Sequence, residues 1–428
     1  MDLPRLLVAD DHAANRRLLR RMLEHSEYTV DEAKNGQHTL DLLREESYDL
    51  VLLDLMMPIL SGYDVLTQMK EDPLLAKIPV VVVSALDDLG MVARCIERGA
   101  EDYLTKPIDP VILRARVGAC LEKKRLRDCE QAYLEAIHKE LRLARKIQED
   151  FLPQHLPRFR GWDIGAVFHP AREVAGDFYD VFPLGDSKFC VVMADVCDKG
   201  VGAALFMALT RTLVRVFAQE RMSISLAEGY DDTCASETSI SPQVAYVLET
   251  VSRTNSYLLD HHSHANMFVT LFFGVMDSRT GSFAYVNAGH DSPFHIGAGC
   301  IQSRLTPTGP GVGILQTEYE MRQIKLNRGD LLVVYTDGLT DARDPEGRFY
   351  TEKSLVDLLT ETAAGTLPSS SSLLERVGSA LKGHVHGAPQ SDDVTMLCLL
   401  REPVVEPRHE GVRSFSSRDT SPDQVVSK

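Results

Sequence analysis

The sequence is short of the features that would point to several common classes of protein. Its eight cysteines form no C-x-x-C pair and no His/Cys cluster, so the pattern of neither a disulfide frame nor a zinc site is present. Reduced thiols in a cytoplasm are the expectation. No G-x-x-x-x-G-K loop occurs, which argues against a nucleotide-using kinase built on that motif. Positive charge is in deficit: 46 Lys and Arg stand against 62 Asp and Glu, a formal net charge of -16. A broad basic surface for nucleic acid or anionic lipid is therefore not expected. No apolar run approaches the ~20 residues of a membrane span, and the start, Met-Asp-Leu-Pro-Arg, puts an acid where a leader peptide needs a basic and then an apolar run. The expectation is a cytoplasmic chain with no membrane and no nucleic-acid partner.

What is present divides the chain. At 428 residues it exceeds one ordinary core, and two or three domains are expected. Residues 1–121 alternate short apolar runs (Leu6-Leu7-Val8-Ala9, Leu50-Val51-Leu52-Leu53, Val80-Val81-Val82-Val83) with amphipathic stretches. That rhythm predicts an α/β fold with a doubly wound parallel five-stranded sheet. Residues 113–151 contain no proline, and Leu134, Ile137, Leu141, Ala144 and Gln148 recur at spacings of three and four among charges. A long helix follows, a linker over 122–157 with coiled-coil character, ended by Pro153 and Pro157. Strand-like runs at 188–194, 268–276 and 331–335, with helical stretches at 203–218 and 243–259, predict an α+β layered domain over 158–401. Residues 221–241 are expected to be an inserted loop, and 402–428 a disordered tail.

The first domain ends its apolar runs on chemistry. Asp10 and Asp11 follow the first run, Asp54 ends another, Ser84 another, and Lys106 stands before Pro107. Strand C-termini of an open parallel sheet share one edge, so these side chains can converge. The carboxylates of Asp10, Asp11 and Asp54 suit a hard cation such as Mg²⁺, which screens the approach of a phosphoryl group to Asp54. Ser84 and Lys106 can then each hold a phosphoryl oxygen. Singly, Asp10 and Asp11 could be a helix cap and Lys106 a solvated surface residue. A chance convergence of all five is a much weaker explanation. The set resembles the receiver domain of two-component response regulators over essentially all of residues 1–121, including Met57-Pro58, Gly62 and Lys106-Pro107. The resemblance implies phosphorylation on Asp54 by a cognate sensor histidine kinase or phosphotransfer protein, and places Tyr103 as an aromatic switch residue.

The second half carries Gly176-Asp177-Phe178-Tyr179-Asp180, Ala194-Asp195-Val196, Tyr335-Thr336-Asp337-Gly338 and Ser391-Asp392-Asp393. Carboxylates at strand ends with no His or Cys among them are hard oxygen ligands for Mg²⁺ or Mn²⁺. Two such ions can lower the pKa of a shared water and neutralise a phosphoryl group under attack. These motifs, in this order, resemble the PPM family of metal-dependent serine/threonine phosphatases in its sporulation and stress-response branch, from about residue 161 to 400. The family fold is a β-sandwich flanked by helices. The resemblance implies two Mn²⁺ or Mg²⁺ ions held by Asp195 between them, by Asp337 and Asp392 on one, by Asp177 through water, and by the carbonyl of Val196. Arg172, five residues before Asp177, stands where some relatives bind phosphate; a surface arginine is the competing reading. Asp180 and Asp393 are expected to support the ligands by hydrogen bonds, Asp198 and Lys199 to form a turn and a helix start, and Asn287 and His290 to bond within a turn.

Together these imply a response regulator whose receiver controls a phosphatase. By analogy with the branch, its substrate would be a phosphorylated anti-sigma-factor antagonist. The apolar stripe of the linker helix is too long and narrow to be buried by either domain alone, which points to a homodimer paired through it, a single helix packed on the phosphatase being the alternative. The alternative is a binding module that keeps the phosphatase fold with weak catalysis.

Overall fold

A computed structural model describes residues 3–25, 28–85, 89–185, 187–227, 242–364 and 369–403. The chain forms two compact units, Met1–Lys139 and Glu140–Lys428.

The first unit is a parallel sheet wrapped by helices. Its elements run β1 (Arg5–Ala9), α1 (Ala13–Glu24), β2 (Thr29–Ala33), α2 (Gly36–Glu45), β3 (Leu50–Asp54), α3 (Gly62–Glu71), β4 (Val80–Ala85), α4 (Leu89–Glu97), β5 (Asp102–Lys106) and the start of α5 (Pro110–Glu149). Strand order is β2-β1-β3-β4-β5, all parallel. The apolar runs are continuous because both faces are covered: Leu7, Val51 and Leu53 face one core, Leu6, Leu50 and Leu52 the other. Gly62 opens α3 so close to β3 that a Cβ there would lie 2.1 Å from the Asp54 carbonyl oxygen, so only glycine lets the helix seat beside Asp54.

The second unit is a two-sheet sandwich between helical layers. After α5 come β6 (Trp162–His169), β7 (Phe178–Pro183), β8 (Lys188–Val196), α6 (Val201–Ala227), α7 (Pro242–His262), β9 (Val269–Asp277), β10 (Ser282–Ala288), β11 (Phe294–Gly297), β12 (Cys300–Arg304), β13 (Arg322–Lys325), β14 (Leu331–Tyr335), α8 (Asp337–Thr340), α9 (Thr351–Ala363), α10 (Ser370–Val385) and β15 (Val394–Arg401). One sheet has the order β13-β10-β9-β8-β7, the other β12-β11-β14-β15-β6. Phe189, Val191 and Met193 of β8 meet Leu332 and Val334 of β14 and Leu397 of β15 between the sheets. The alternate residues Cys190, Val192 and Ala194 pack under α6 and α7. The outer face of the second sheet is covered by α9 and α10 through Leu355, Leu359, Leu373 and Val377. Residues 189–194 of β8 are thus each covered from one side or the other, which is why they read as an unbroken apolar run.

Two expectations change. The helix expected over 203–218 runs on to Ala227, so the first residues of the supposed 221–241 loop are helical; residues 228–241, and the tail from 404, lie outside the described residues. Met222, Leu226 and Ala227, on either side of Ser223 and Ser225, are good helix formers and prolong the element. The stretch Val201–Glu220 is also long and apolar enough to cross a membrane by length and composition, contrary to the expectation that no run would be. In this fold its Ala203, Met207, Val214 and Ala218 are buried in the core under the first sheet. No disulfide joins the seven described cysteines.

Candidate functional site

In the first unit, the strand ends do converge. Lys106 Nζ lies 2.9 Å from Asp10 Oδ2 and 2.8 Å from Asp54 Oδ2, tying the ends of β1, β3 and β5 together. Asp10 and Asp54 are buried, whereas Asp11 is half-buried beside them. Burial raises the pKa of Asp54, and the nearby Asp10 charge adds to that, against the bonds from Lys106. Burial works the same way on Asp10, but Lys106 and the His12 amide outweigh it and hold that carboxyl below its ordinary value. Asp10, Asp11 and His12 bring ligand atoms within 4.8 Å of one another, a spacing that can hold a cation. His12 was not anticipated; it is exposed and bonded to Asp11 at 2.6 Å. Ser84 is buried at the end of β4, its hydroxyl donating weakly to the Ala85 carbonyl at 3.3 Å. Tyr103 is half-buried on β5 with the Arg116 guanidinium 5.7 Å from its ring centroid.

In the second unit, β7, β8, β14 and β15 each deliver a carboxylate to one end of the sandwich. Asp177 precedes β7, Asp195 is near the end of β8, Asp337 follows β14 and opens α8, and Asp392 precedes β15. Their charges act on one another. The pKa of Asp195 is pushed up to about 7, by burial first and then by Asp337 and Asp392, with the Asp177 carboxyl hydrogen-bonded to it. Asp177 is raised well above the ordinary value by burial and by Asp195, although the hydroxyls of Thr336 and Thr395 donate to its Oδ2. Burial and Asp392 raise Asp337. A buried set of acids that repel each other at a strand edge is a donor set suited to hard divalent cations. Among the described residues, however, no three of these acids bring ligand atoms within 4.8 Å of one another. The Asp392 carboxylate is instead paired with Lys199 Nζ at 2.7 Å.

The surrounding backbone is fixed by further side chains. Asp393 accepts from the amides of Ala171 at 2.7 Å and Gly176 at 2.8 Å, and more weakly from Asp177 at 3.4 Å, anchoring the loop that carries Asp177. Gln148, buried in the last turn of α5, takes both polar groups of Ala175: its Nε2 donates to the carbonyl at 2.7 Å and its Oε1 accepts from the amide at 2.9 Å. The Val196 carbonyl oxygen would lie 3.2 Å from a Cβ on Gly176, so it faces the Asp177 loop. Gly338 must be glycine, since a Cβ there would meet the Asp393 carbonyl oxygen at 1.9 Å. Asp393→Ala is expected to destabilise this unit by about 3 kcal/mol or more, because buried amides lose their acceptor; urea unfolding followed by circular dichroism measures it, and a change below about 1 kcal/mol would contradict this account.

Some sequence expectations meet a different outcome. Asp180, expected to support the ligands, pairs instead with Arg211 at 2.9 Å under α6. It lies inside β7 with its side chain on the helix-covered side, so it cannot face the carboxylate end. Lys199 does more than open a helix turn, as its pairing with Asp392 shows; Asp198 beside it takes a positive φ of 115°. Asn287 bonds within its turn only through Oδ1, which accepts from His290 N; its Nδ2 donates to Leu305 O, far along the chain, and the His290 ring meets Thr270 Oγ1 at 2.9 Å instead of bonding within the turn. Arg172 is exposed and does not line the cavity that contains Asp195 and Asp337. The guanidinium in that cavity of about 390 Å³ belongs to Arg304, paired with Glu352 at 2.6 Å, alongside Asp291 and Thr270. Nothing in the sequence around Arg304 marks it, since its neighbours are brought in by strands and helices far along the chain.

A family model described as Stage II sporulation protein E (SpoIIE) matches residues 185–402, and one described as Response regulator receiver domain matches residues 6–118. Protein IcfG of Synechocystis sp. is 40% identical over 273 residues, covering 61% of this chain and 41% of that protein. Response regulator PleD of Caulobacter vibrioides is 45% identical over 113 residues, 26% of this chain and 25% of its own length. The chain thus spans less than half of these two relatives. Phosphoserine phosphatase RsbU of Bacillus subtilis is 26% identical over 269 residues, 62% of this chain and 71% of that one. Among solved structures, the SiaA-PP2C domain of Pseudomonas aeruginosa superposes with a TM-score of 0.50 at 21% identity, covering 62% of this chain and 98% of that domain, a likeness of fold.

Proposed function

Because the chain belongs to the stage II sporulation protein E family and carries a response-regulator receiver domain before the family's phosphatase fold, we propose that it is a protein serine/threonine phosphatase dependent on Mn²⁺ or Mg²⁺ and controlled by phosphorylation of Asp54. The observation that carries this reading is the convergence of Asp177, Asp195, Asp337 and Asp392 at one end of the sandwich, with pKa values raised by burial and mutual repulsion at the first three. Asp195, Asp337 and Asp392 would hold two ions, with the Val196 carbonyl and, through water, Asp177. When bound, the ions would supply a water of lowered pKa and offset the charge of the phosphoryl oxygens. The chain's own residues prepare that site. Thr336 and Thr395 orient Asp177, and Asp393 and Gln148 fix the loop before it. Lys199 keeps Asp392 paired until an ion competes for it.

The receiver would take its phosphoryl group from a sensor histidine kinase or phosphotransfer protein, with Mg²⁺ at Asp10, Asp11 and Asp54. Ser84, Lys106 and Tyr103 would respond to the new charge. The substrate proposed is a phosphorylated anti-sigma-factor antagonist, in the cytoplasm. The direct test is phosphate release from a phosphoserine protein by the purified full chain with Mn²⁺, with Mg²⁺, and with EDTA. Release that persists in EDTA would refute metal dependence, and none from a folded chain in either ion would favour the binding-module alternative.

Regulation is proposed to run through α5, unbroken from Pro110 to Glu149, with activation as the sign. Its exposed Leu143 and Ile147, four residues apart on one helix face, support pairing of two chains along it. Two residues inserted near Arg142 would turn the downstream helix face by ~200°. The expected outcome is that Asp54 phosphorylation no longer changes the phosphatase rate. An unchanged response, measured with and without acetyl phosphate, would exclude the helix as the route.

A further inference from the structure

A second cavity of the phosphatase unit, about 1150 Å³, lies beside the carboxylates and is not used by the chemistry above. Its lining includes Gly165 and Val167 of β6, Leu374 and Gly378 of α10, and the segment through Gly387 and Gln390. It reaches Gly338 and Ser391, which are next in sequence to Asp337 and Asp392. One end of the groove therefore runs beside the segments that carry Asp337 and Asp392.

Two independent features say what could lie there. The first is a free sheet edge. β6 is the last strand of its sheet and pairs only with β15, so the opposite row of its backbone groups has no strand partner among the described residues. Such an edge accepts an extended segment by main-chain hydrogen bonding. The second is charge. Arg145, His169, Arg343 and Lys382 line the groove against a single acid, Glu375, on a chain whose net charge is -16. Arg145 is committed to Glu149 at 3.0 Å. Arg343 and Lys382 are exposed and form no ion pair among the described residues, Arg343 being held over the Phe349 ring at 4.5 Å. Local positive charge against an acidic background selects an acidic partner.

The chain's own terminal segment fits less well. Residues 404–428 carry equal numbers of acids and bases. β15 ends at Arg401, which pairs with Trp162 at the start of β6, while the groove's catalytic end adjoins His169, opposite Val394.

We infer that the groove between β6 and α10 docks an extended acidic segment of the phosphoprotein substrate. The segment lies along the open edge of β6, its acidic side chains meet Arg343 and Lys382, and its phosphorylated residue is delivered at the Gly338 and Ser391 end. The inference rests on the phosphatase reading.

The experiment uses the full chain with Mn²⁺ and two fluorescein-labelled phosphoserine peptides of equal length, one with acidic flanks and one with glutamine in their place. Wild type is expected to bind the acidic peptide about tenfold more tightly, and to use it with about tenfold higher kcat/KM, the difference lying in KM. Arg343→Glu and Lys382→Glu each bring that ratio close to one, and Lys382→Gln falls between. Hydrolysis of p-nitrophenyl phosphate by all three variants stays within about twofold of wild type, which also shows that they are folded. A wild-type ratio near one, or a ratio that survives both charge reversals, overturns the docking groove. Failure of wild type to hydrolyse p-nitrophenyl phosphate is a separate result that overturns the phosphatase reading, and peptide anisotropy still decides the groove in that case.

Discussion

Asp195→Asn and Asp337→Asn are expected to lower Mn²⁺-dependent phosphate release by on the order of a thousandfold or more, because an amide leaves a divalent ion without its anionic ligand. The same substitutions should leave the metal-free protein folded and, for Asp195→Asn, more stable than wild type at alkaline pH. The pKa of Asp195 stands at about 7 in the folded chain, raised by burial and then by Asp337, against an ordinary value of 3.8. Between those two values the folded state holds a proton that the unfolded chain has released. Folding stability of the metal-free wild type therefore falls as pH rises through that window, and the loss is complete above about 7. Asp195→Asn carries no such penalty. At pH 8 its phosphatase unit should unfold at higher denaturant than wild type, by on the order of a few kcal/mol, and near pH 4 the two should coincide. Mn²⁺ reverses the order by stabilising wild type alone. A variant less stable than wild type at pH 8 without metal would mean that Asp195 is structural.

Asp54→Asn is expected to abolish labelling by acetyl phosphate in Mg²⁺ completely. An acyl phosphate forms only on a carboxylate, and the amide keeps the shape while removing the attacking oxygen charge. The geometry makes the site specific. Asp54 is buried at the end of β3, 2.8 Å from Lys106 Nζ, and the same ammonium is 2.9 Å from Asp10. Lys106 is thus already beside Asp54, where a phosphoryl oxygen would need a positive partner, and on the proposed reading Asp10 and Asp11 would hold the cation. Lys106→Ala should still accept label but lose the response of the phosphatase to it. Label that persists in Asp54→Asn would move the acceptor to Asp10 or Asp11, which the corresponding asparagine variants would distinguish.

The parts of this protein that were legible in sequence are those in which chemistry sits at the end of an apolar run. A strand end is visible locally, and a parallel sheet puts all its strand C-termini on one edge, so Asp10, Asp54, Ser84 and Lys106 could be assembled on paper. The acids of the second unit were marked just as locally, each beside an apolar strand, but the sheets there are antiparallel, so Asp177 and Asp392 enter their strands where Asp195 and Asp337 leave theirs. The residues that hold them were not. Thr336 and Thr395 reach Asp177 from 159 and 218 positions away, and Asp393 anchors amides more than 200 residues earlier. No periodicity encodes such pairs. Asp180 misled because it shares a motif with Asp177 but sits three residues further along a strand, where alternation turns its side chain to the helix-covered face and to Arg211. Arg304 was invisible because β12 has an ordinary half-exposed pattern, and only the fold brings its side chain to the cavity with Asp195.

The contact between Gln148 and Ala175 has a consequence for how this molecule could be watched. Both backbone groups of Ala175 are held by one neutral side chain, so the hold is indifferent to pH and ionic strength over ranges in which the neighbouring carboxylates titrate. The amide of Ala175 is shielded from deuterium only while the last turn of α5 is wound and Gln148 is in place. A single amide two residues before Asp177 therefore times the opening of that turn, and its exchange rate, followed by mass spectrometry with and without a phosphoryl group on Asp54, would report how often the end of α5 lets the loop go.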